Sequence, residues 1–470
     1  MGFVLSVFYF VTSYLTPAAL FGPLAVYRIE LILAALIFLI SLPAMTKSFT
    51  LKTPQSLALI GLAFAVFLSV LIPFRWPGGA VHAFLSFLPS AFAYFLVCLY
   101  CDSKKKLQIL VFMLLFVCLF VIAHGVGDLL HGVPQRAPMQ PGQSDFEEAS
   151  AVSLWDVEHP YLSAARNETG ELHSRLRGLG EIHDPNDFSQ LIVCLIPLMF
   201  ISWRPKKALR NLVLVVLPVC VLLFGLFLTH SRGALLALVA VVLVASRRRI
   251  GTLPALLIAG VVFIVAMALN FTGGRDISVN AGVDRTVLWG ESLQILKSHP
   301  MFGVGFDKMG DYTDSHLTAH NSIAVCAAEL GVIGLYFWCL FLFPMVRDAL
   351  TIASPAKVSE GEAIVPEKGL FPRAANTIET IDKAEINRLG RLLILSLTGF
   401  LVAAWFLSRA FVMTLFLLGG IVEVVYQMAL QRGMIAPRWR LARVLPYAGG
   451  LAFLLVLVLY IMLRILNLMH

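Results

Sequence analysis

Apolar residues fill this chain in runs close to the ~20 residues that cross a bilayer as a helix, with polar breaks between them. The runs fall near 3–20, 29–45, 56–74, 80–100, 107–130, 188–203, 211–229, 233–246, 251–271, 320–346, 392–408, 410–430 and 445–463. They predict an all-α, polytopic membrane protein with about 12 to 13 spanning helices. The first run leads straight into the second and reads as a retained helix rather than a cleavable signal. If the helices alternate, the basic clusters at Lys47 and Lys52, Lys104 to Lys106, Arg204 to Arg210, Arg247 to Arg249, Arg347, and Arg432 to Arg443 share one side. That side is expected to be the cytoplasm. No internal repeat of fixed period is visible, which argues against a transporter built from inverted halves.

The polar segments then divide the chain. Residues 1–130 read as N-terminal membrane helices, 131–187 as a first extracytoplasmic loop, and 188–346 as a core with an outer loop at 272–319. Residues 347–391 read as a cytoplasmic linker and 392–470 as C-terminal membrane helices. The linker is rich in Lys, Glu, Ala and Pro and carries no evident chemistry. Two long loops on the outer side are where function is expected. Asn167-Glu168-Thr169 in the first matches a short glycosylation pattern that is common by chance.

Composition agrees with this division: 59% of residues are hydrophobic and 14% charged. The net charge of +8 is spread over short loops and is no nucleic-acid signature. None of the seven cysteines lies in the long polar loops, and Cys98 and Cys101 form a lone CxxC with no second pair. All seven read as packing residues, with no disulfide framework or zinc site.

The candidate chemistry begins at Thr229-His230-Ser231-Arg232-Gly233, wedged between two apolar runs. From Ala234 to Ser246 only 13 residues precede the basic run Arg247 to Arg249. That length reaches about 20 Å, short of the ~30 Å hydrocarbon core. Arg232 is therefore expected within the hydrophobic depth, where an arginine serves function or pairs with an anion. The bland alternative is a side chain snorkelling to the headgroups.

The first outer loop ends in Arg177-Gly178, then His183-Asp184-Pro185-Asn186-Asp187. Asp, Pro and Asn suit a helix cap, and Arg177 with that cap could present donors to an anion at a helix N-terminus. Asp184 and Asp187 could in principle hold a divalent metal, but no further ligands accompany them. In the second outer loop Trp289, Leu293 and Leu296 form one apolar stripe of a short helix, leaving Arg285 on its polar side. His299-Pro300 stops that helix, and Gly303-Val304-Gly305 forms a hinged turn. His320 begins the next membrane helix, where the helix dipole keeps an imidazole neutral and fit to act as a general base, with Asn321 as a candidate orienting neighbour. A capping or headgroup-facing histidine is the alternative. Arginines beside a base are what transfer from a polyprenyl-diphosphate sugar requires, since the leaving diphosphate gains negative charge.

Arg177-Gly178 with His183-Asp184-Pro185-Asn186, then Ser231-Arg232-Gly233, Arg285 with Trp289, His299-Pro300, Gly303-Val304-Gly305, and His320-Asn321 with Glu329-Leu330-Gly331-Val332-Ile333-Gly334 occur in a recognisable order. That ordered set resembles the O-antigen ligase family, which includes O-antigen polymerases and protein O-oligosaccharyltransferases. The resemblance covers roughly residues 175 to 345. It implies an inverting glycosyltransferase of the bacterial inner membrane, active at its periplasmic face without metal or cofactor. The implied donor is an undecaprenyl-diphosphate-linked glycan, and the acceptor a lipid, glycan or protein. Arg232 and Arg285 match the family's diphosphate-binding arginines, Arg177 matches less closely, and His320 matches its proposed base. Asn321, Ser231, Asp184 and Asn186 are the supporting residues. The opening Tyr14-Leu15-Thr16-Pro17 and Tyr27-Arg28 looks like members linked with exopolysaccharide systems. From Arg432 on, the chain departs from the pattern with an additional apolar span. A polysaccharide polymerase and a non-enzymatic transporter or flippase stay open as alternatives. A transporter should show midplane ionisable residues or broken helices in two matching halves, and the sequence shows neither.

Overall fold

The computed structural model describes residues 2–17, 29–47, 53–130, 159–166, 172–272, 280–354 and 383–468. The glycosylation pattern at Asn167 and most of the 347–391 segment, together with Tyr27 and Arg28, lie outside them. Every predicted apolar run contains a helix: α1 (Gly2–Leu15), α2 (Ile29–Lys47), α3 (Pro54–Phe74), α4 (Pro77–Tyr100), α5 (Lys104–Leu130), α6 (Pro185–Met199), α7 (Ala208–Leu228), α8 (Arg232–Ile250) and α9 (Thr252–Ala268). After the outer-loop helix α10 (Asn280–Ser298) come α11 (Ser322–Ala353), α12 (Lys383–Ala404), α13 (Met413–Gln431) and α14 (Leu441–Leu468). Among the described residues nine helices are long and apolar enough to cross a membrane, and three shorter apolar ones accompany them. The chain is an all-α, multi-pass membrane protein.

Local signals set the helix ends. Thr53 caps α3, its side chain accepting from the Ser56 amide at 3.2 Å with Pro54 at the first helical position. The last turn of α8 carries Arg247, Arg248 and Arg249, which suit the negative end of its dipole before Gly251. One antiparallel hairpin, β1 (Leu162–Arg166) on β2 (Leu172–Leu176), stands in the first outer loop, paired Leu162 to Leu176. The period of the sequence there did not announce it.

Helix α13 is almost wholly buried, so the other helices are built around it. On α9, by contrast, Leu253, Leu257, Val261 and Ile264 are exposed, and on α14 Phe453, Leu454 and Ile465. Apolar faces this large need lipid beside them.

Contacts sort the helix ends into two sets, as strict alternation requires. At one end Lys104 pairs with Glu385 at 2.6 Å, Arg388 donates to the Trp203 carbonyl at 2.9 Å, and Arg438 binds both Asp348 and Glu423. The basic clusters Lys104 to Lys106, Arg204 to Arg210 and Arg432 to Arg443 share this end. At the opposite end Arg175 reaches the Thr229 carbonyl, Phe306 donates to Ser69 Oγ, and Thr318 donates to Ser408.

Two readings change. Helix α12 begins earlier and ends at Ala404, so residues 405–412 form a turn instead of continuing the predicted 392–408 helix. Ser408 and Arg409 are drawn out of helical geometry by partners described below. Helix α11 is broken at Gly331 (φ 63°), a break that the apolar run did not reveal. The outer loop fills the gap. The amides of Val304 and Gly305 donate to the carbonyls of Ala328 and Glu329, and those of Val332 and Ile333 donate to Pro300 and Met301. Backbone freed at membrane depth must find partners inside the protein, and here a loop supplies all four bonds. Only glycine fits at Gly331, where a Cβ would stand 2.5 Å from the Met301 carbonyl carbon.

Candidate active site

The site is assembled by the short turn Trp405–Arg409. Trp405 meets Trp289 of α10 edge to face, ring centroids 6.1 Å apart. Phe406 lies against Gly233 in the first turn of α8. Ser408 Oγ accepts from Thr318 Oγ1 at 2.6 Å and from the His320 amide at 2.7 Å. Ser322 Oγ donates to the Leu407 carbonyl, and the Arg409 amide donates back to Ser322 Oγ. Five consecutive residues thus touch the helix bearing Arg285, the helix bearing Arg232, and the strand of chain bearing His320.

His320 sits at φ 46°, a left-handed conformation uncommon for a side-chain-bearing residue. Strain of this kind persists only where the surroundings over-determine it, and it collects at functional sites. Here the Ser408 acceptor on one side and the Asn321 cap on the other fix it. Asn321 Oδ1 accepts from the amides of Ile323 and Ala324 at 2.9 and 3.1 Å, which starts α11. Losing a shared acceptor costs ~1–3 kcal/mol when donors are left unpaired. Ser408→Ala is therefore expected to speed amide hydrogen exchange across 318–322 by about tenfold or more, while Ser408→Thr should restore protection. Exchange unchanged in Ser408→Ala would show that another group holds the turn.

His320 opens on a cavity of about 390 Å³. Its lining includes Ser86 and Ser90 of α4, Glu181, Asp184, Asn186 and Asp187 around the start of α6, Phe306 and Asp307 of the outer loop, Glu329 of α11, and Ser408 and Arg409. Larger apolar hollows, about 530 and 660 Å³, run between α10, α11 and α14 and are lined by residues such as Leu296, Phe453 and Val456. Their chemistry is that of lipid contact. The polar cavity is the one beside the reactive groups.

Arg409 is the residue the sequence reading missed. Its Nε donates to Asp187 Oδ1 at 2.9 Å, and Asp187 is buried. Its Nη2 lies 3.3 Å from His183 Nε2, while His183 Nδ1 faces the Gly180 carbonyl at 3.0 Å. The ring thus donates from Nδ1 and accepts at Nε2. Desolvation, then the Arg409 charge, hold His183 below the usual histidine range, which fits this neutral form. Desolvation also raises Glu181 above the usual carboxylate range, against a 3.1 Å hydrogen bond from Ser90. One signal was available: under alternation Arg409 falls on the outer side, with Arg177, Arg232 and Arg285 rather than with the inner basic clusters.

The sequence candidates fall into groups. His320, Asp184 and Asn186 line the cavity together. Asp184 also caps α6, accepting from the Asn186 amide at 2.7 Å. Asn186 Oδ1 accepts from Ser231 Oγ at 2.8 Å and from Arg175 Nη2 at 3.1 Å, joining α6 to the start of α8. Ser231 in turn caps α8 by accepting from the Ala234 amide. Arg232 and Arg285 are half-buried and are not among the lining residues. They stand on the two helices that the 405–409 turn holds. Arg177 donates to the Pro160 carbonyl at 3.1 Å and also lies outside the lining, tying the hairpin to its entry. Its neighbour Arg175, not singled out by the sequence, is buried and makes the link to Thr229 and Asn186. Among the described residues no group of three or more His, Cys, Asp or Glu is placed to hold a metal ion.

Residues 217–339 match the family model described as O-antigen ligase. Over this segment the chain is similar to the O-antigen ligase family. The segment carries Arg232, Arg285, His320, Asn321 and Glu329, and it supports a ligase- or polymerase-like function in general. The matched segment leaves out Asp184, Asn186, Asp187 and Arg409, which the fold adds to the same cavity. A comparison with curated proteins found no match.

Proposed function

We propose that this protein is an inverting, metal-independent glycosyltransferase of the bacterial inner membrane. It moves glycan from an undecaprenyl-diphosphate carrier to an acceptor hydroxyl at the periplasmic face, as a ligase does. The observation that supports this reading is the Trp405–Arg409 turn, which holds α8 and α10 around a strained His320 beside a polar cavity. Arg232 stands in the first turn of α8, where the positive end of the helix dipole adds to its own charge. Arg285 stands one turn before Trp289, whose indole donates to the Ala319 carbonyl next to His320.

In this reading His320 takes the proton of the acceptor hydroxyl. The oxygen attacks the anomeric carbon from the face opposite the diphosphate, the carbon–phosphate-oxygen bond breaks, and the configuration inverts. The diphosphate leaves with an added negative charge that the guanidinium groups of Arg232 and Arg285 neutralise.

Arg232→Lys is expected to lower transfer by about 10²-fold although charge is kept, because an ammonium cannot make a planar two-point contact. Near-normal turnover of purified Arg232→Lys protein with a lipid-linked donor would remove the diphosphate role. A strain lacking the protein should accumulate long glycan chains left unattached; single repeat units would indicate a polymerase instead.

A further inference from the structure

We propose that the cavity beside His320 is the acceptor-sugar subsite, and that it takes an uncharged or amine-bearing sugar and rejects one carrying a carboxylate or phosphate. This rests on the glycosyl-transfer reading above.

The wall supplies what sugar recognition uses. Phe306 and Phe411, both half-buried lining residues, place their ring centroids 5.4 Å apart at 47°. Phe87 meets each of them edge-on at 6.2 Å and holds the pair in place. Aromatic faces carry partial negative charge and attract the polarised C–H bonds of a pyranose face. Around them stand the hydroxyls of Ser86, Ser90, Thr318 and Ser408 and the amide of Asn186, which can meet sugar hydroxyls as donors or acceptors. A volume of about 390 Å³ lies within the ~300–1,000 Å³ of small-molecule sites.

Charge then selects. Five carboxylic side chains line the cavity: Glu181, Asp184, Asp187, Asp307 and Glu329; burial lifts Glu181 above the usual carboxylate range, whereas Asp307 is exposed and carries the negative charge that faces an incoming ligand. Arg409 is the one arginine among the lining residues, and Asp187 already engages it at 2.8 Å. Asp187 is 4% exposed, and the single Arg409 Nε–H is shared between its two oxygens, donating to Oδ1 at 2.9 Å with Oδ2 at 2.8 Å. A carboxylate has more acceptor capacity than one shared N–H fills, and a ligand hydroxyl can use the remainder. A diphosphate belongs elsewhere, on the arginine-bearing helices α8 and α10, whereas an acceptor hydroxyl must lie within hydrogen-bond reach of the base. Of the lining groups His320 is that base, so the sugar whose hydroxyl is activated occupies this cavity.

The test needs no donor. Full-length protein in nanodiscs of uncharged lipid is titrated with methyl glucoside, methyl glucosaminide and methyl glucuronide, followed by saturation-transfer NMR. The first two should bind, and the glucuronide at least about tenfold more weakly, because like charges oppose it. Phe411→Ala should weaken the glucoside at least about tenfold. Asp307→Asn is the fold-safe variant, since Asp307 has φ 58° and asparagine tolerates that conformation. It should narrow the gap between glucoside and glucuronide. Equal binding of the glucuronide, an unchanged gap in Asp307→Asn, or no binding by any of the three overturns the subsite. Glycoside binding as expected, with no transfer from a lipid-linked donor, supports the sugar site and counts against the transferase reading instead.

Discussion

Replacing His320 with asparagine is expected to lower glycan transfer by about 10²–10⁴-fold while donor affinity stays largely intact, since a positioned general base contributes that much. Asparagine is the informative choice. His320 holds φ 46°, and asparagine accepts that conformation more readily than alanine, so the backbone contact to Ser408 should survive. Asn321 would still cap α11 through Ile323 and Ala324, leaving the start of the helix unchanged. What disappears is the proton acceptor alone. The measurement is donor affinity against turnover in purified protein, with His320→Ala beside it to gauge backbone strain. If rate and donor affinity fell together, His320 would be a binding residue; if neither moved, the base would have to be sought among the cavity carboxylates. His299 provides the contrast. It follows α10 and does not line the cavity, so its replacement should leave turnover near normal.

The second large effect is expected at the far end of the bundle. Arg438 Nη2 lies 2.6 Å from Asp348 and also binds Glu423, both carboxylates being almost wholly buried. Gln55 donates to Asp348 at 3.1 Å and Gln427 to Glu423 at 2.8 Å, so one guanidinium ties α3, α11 and α13 together. Its plane also rests on the Tyr426 ring, 4.0 Å from the centroid. Removing one partner of a buried ion pair typically costs 3–5 kcal/mol, because the charge left behind has no water. Arg438→Ala is therefore expected to destabilise the protein by about that amount, seen as a lower thermal unfolding midpoint in detergent. Adding Glu423→Gln and Asp348→Asn to Arg438→Ala should recover much of the loss, since neutral amides need no counter-charge. A single variant as stable as the wild type would mean that the cluster carries little of the packing.

The hydrophobic period was enough to place the membrane helices, because a bilayer demands about 20 apolar residues per crossing and this signal is local. Strict alternation and the one-sided basic clusters likewise ordered the ends, as the contacts of Lys104, Arg388 and Arg438 with their neighbours bear out. The capping role of the Asp184-Pro185-Asn186 group was legible too, since caps are written in adjacent residues. So was α10, from the spacing of Trp289, Leu293 and Leu296.

What remained hidden depends on partners far along the chain. The break at Gly331 is invisible in an apolar run, because its four backbone bonds come from residues 300–305. The hairpin 162–176 rests on pairing across a turn, and its residues show no period-2 alternation. Arg409 looked like a boundary between two helices, and Asp187 and His183, each more than two hundred positions earlier in the chain, give its guanidinium a place in the site. The sequence by itself determined a membrane-spanning helical bundle and a set of polar candidates on its outer face. Tertiary structure decided which of them share a cavity, because residues 405–409 draw helices α8, α10 and α11 onto one point through side-chain contacts that no local pattern encodes.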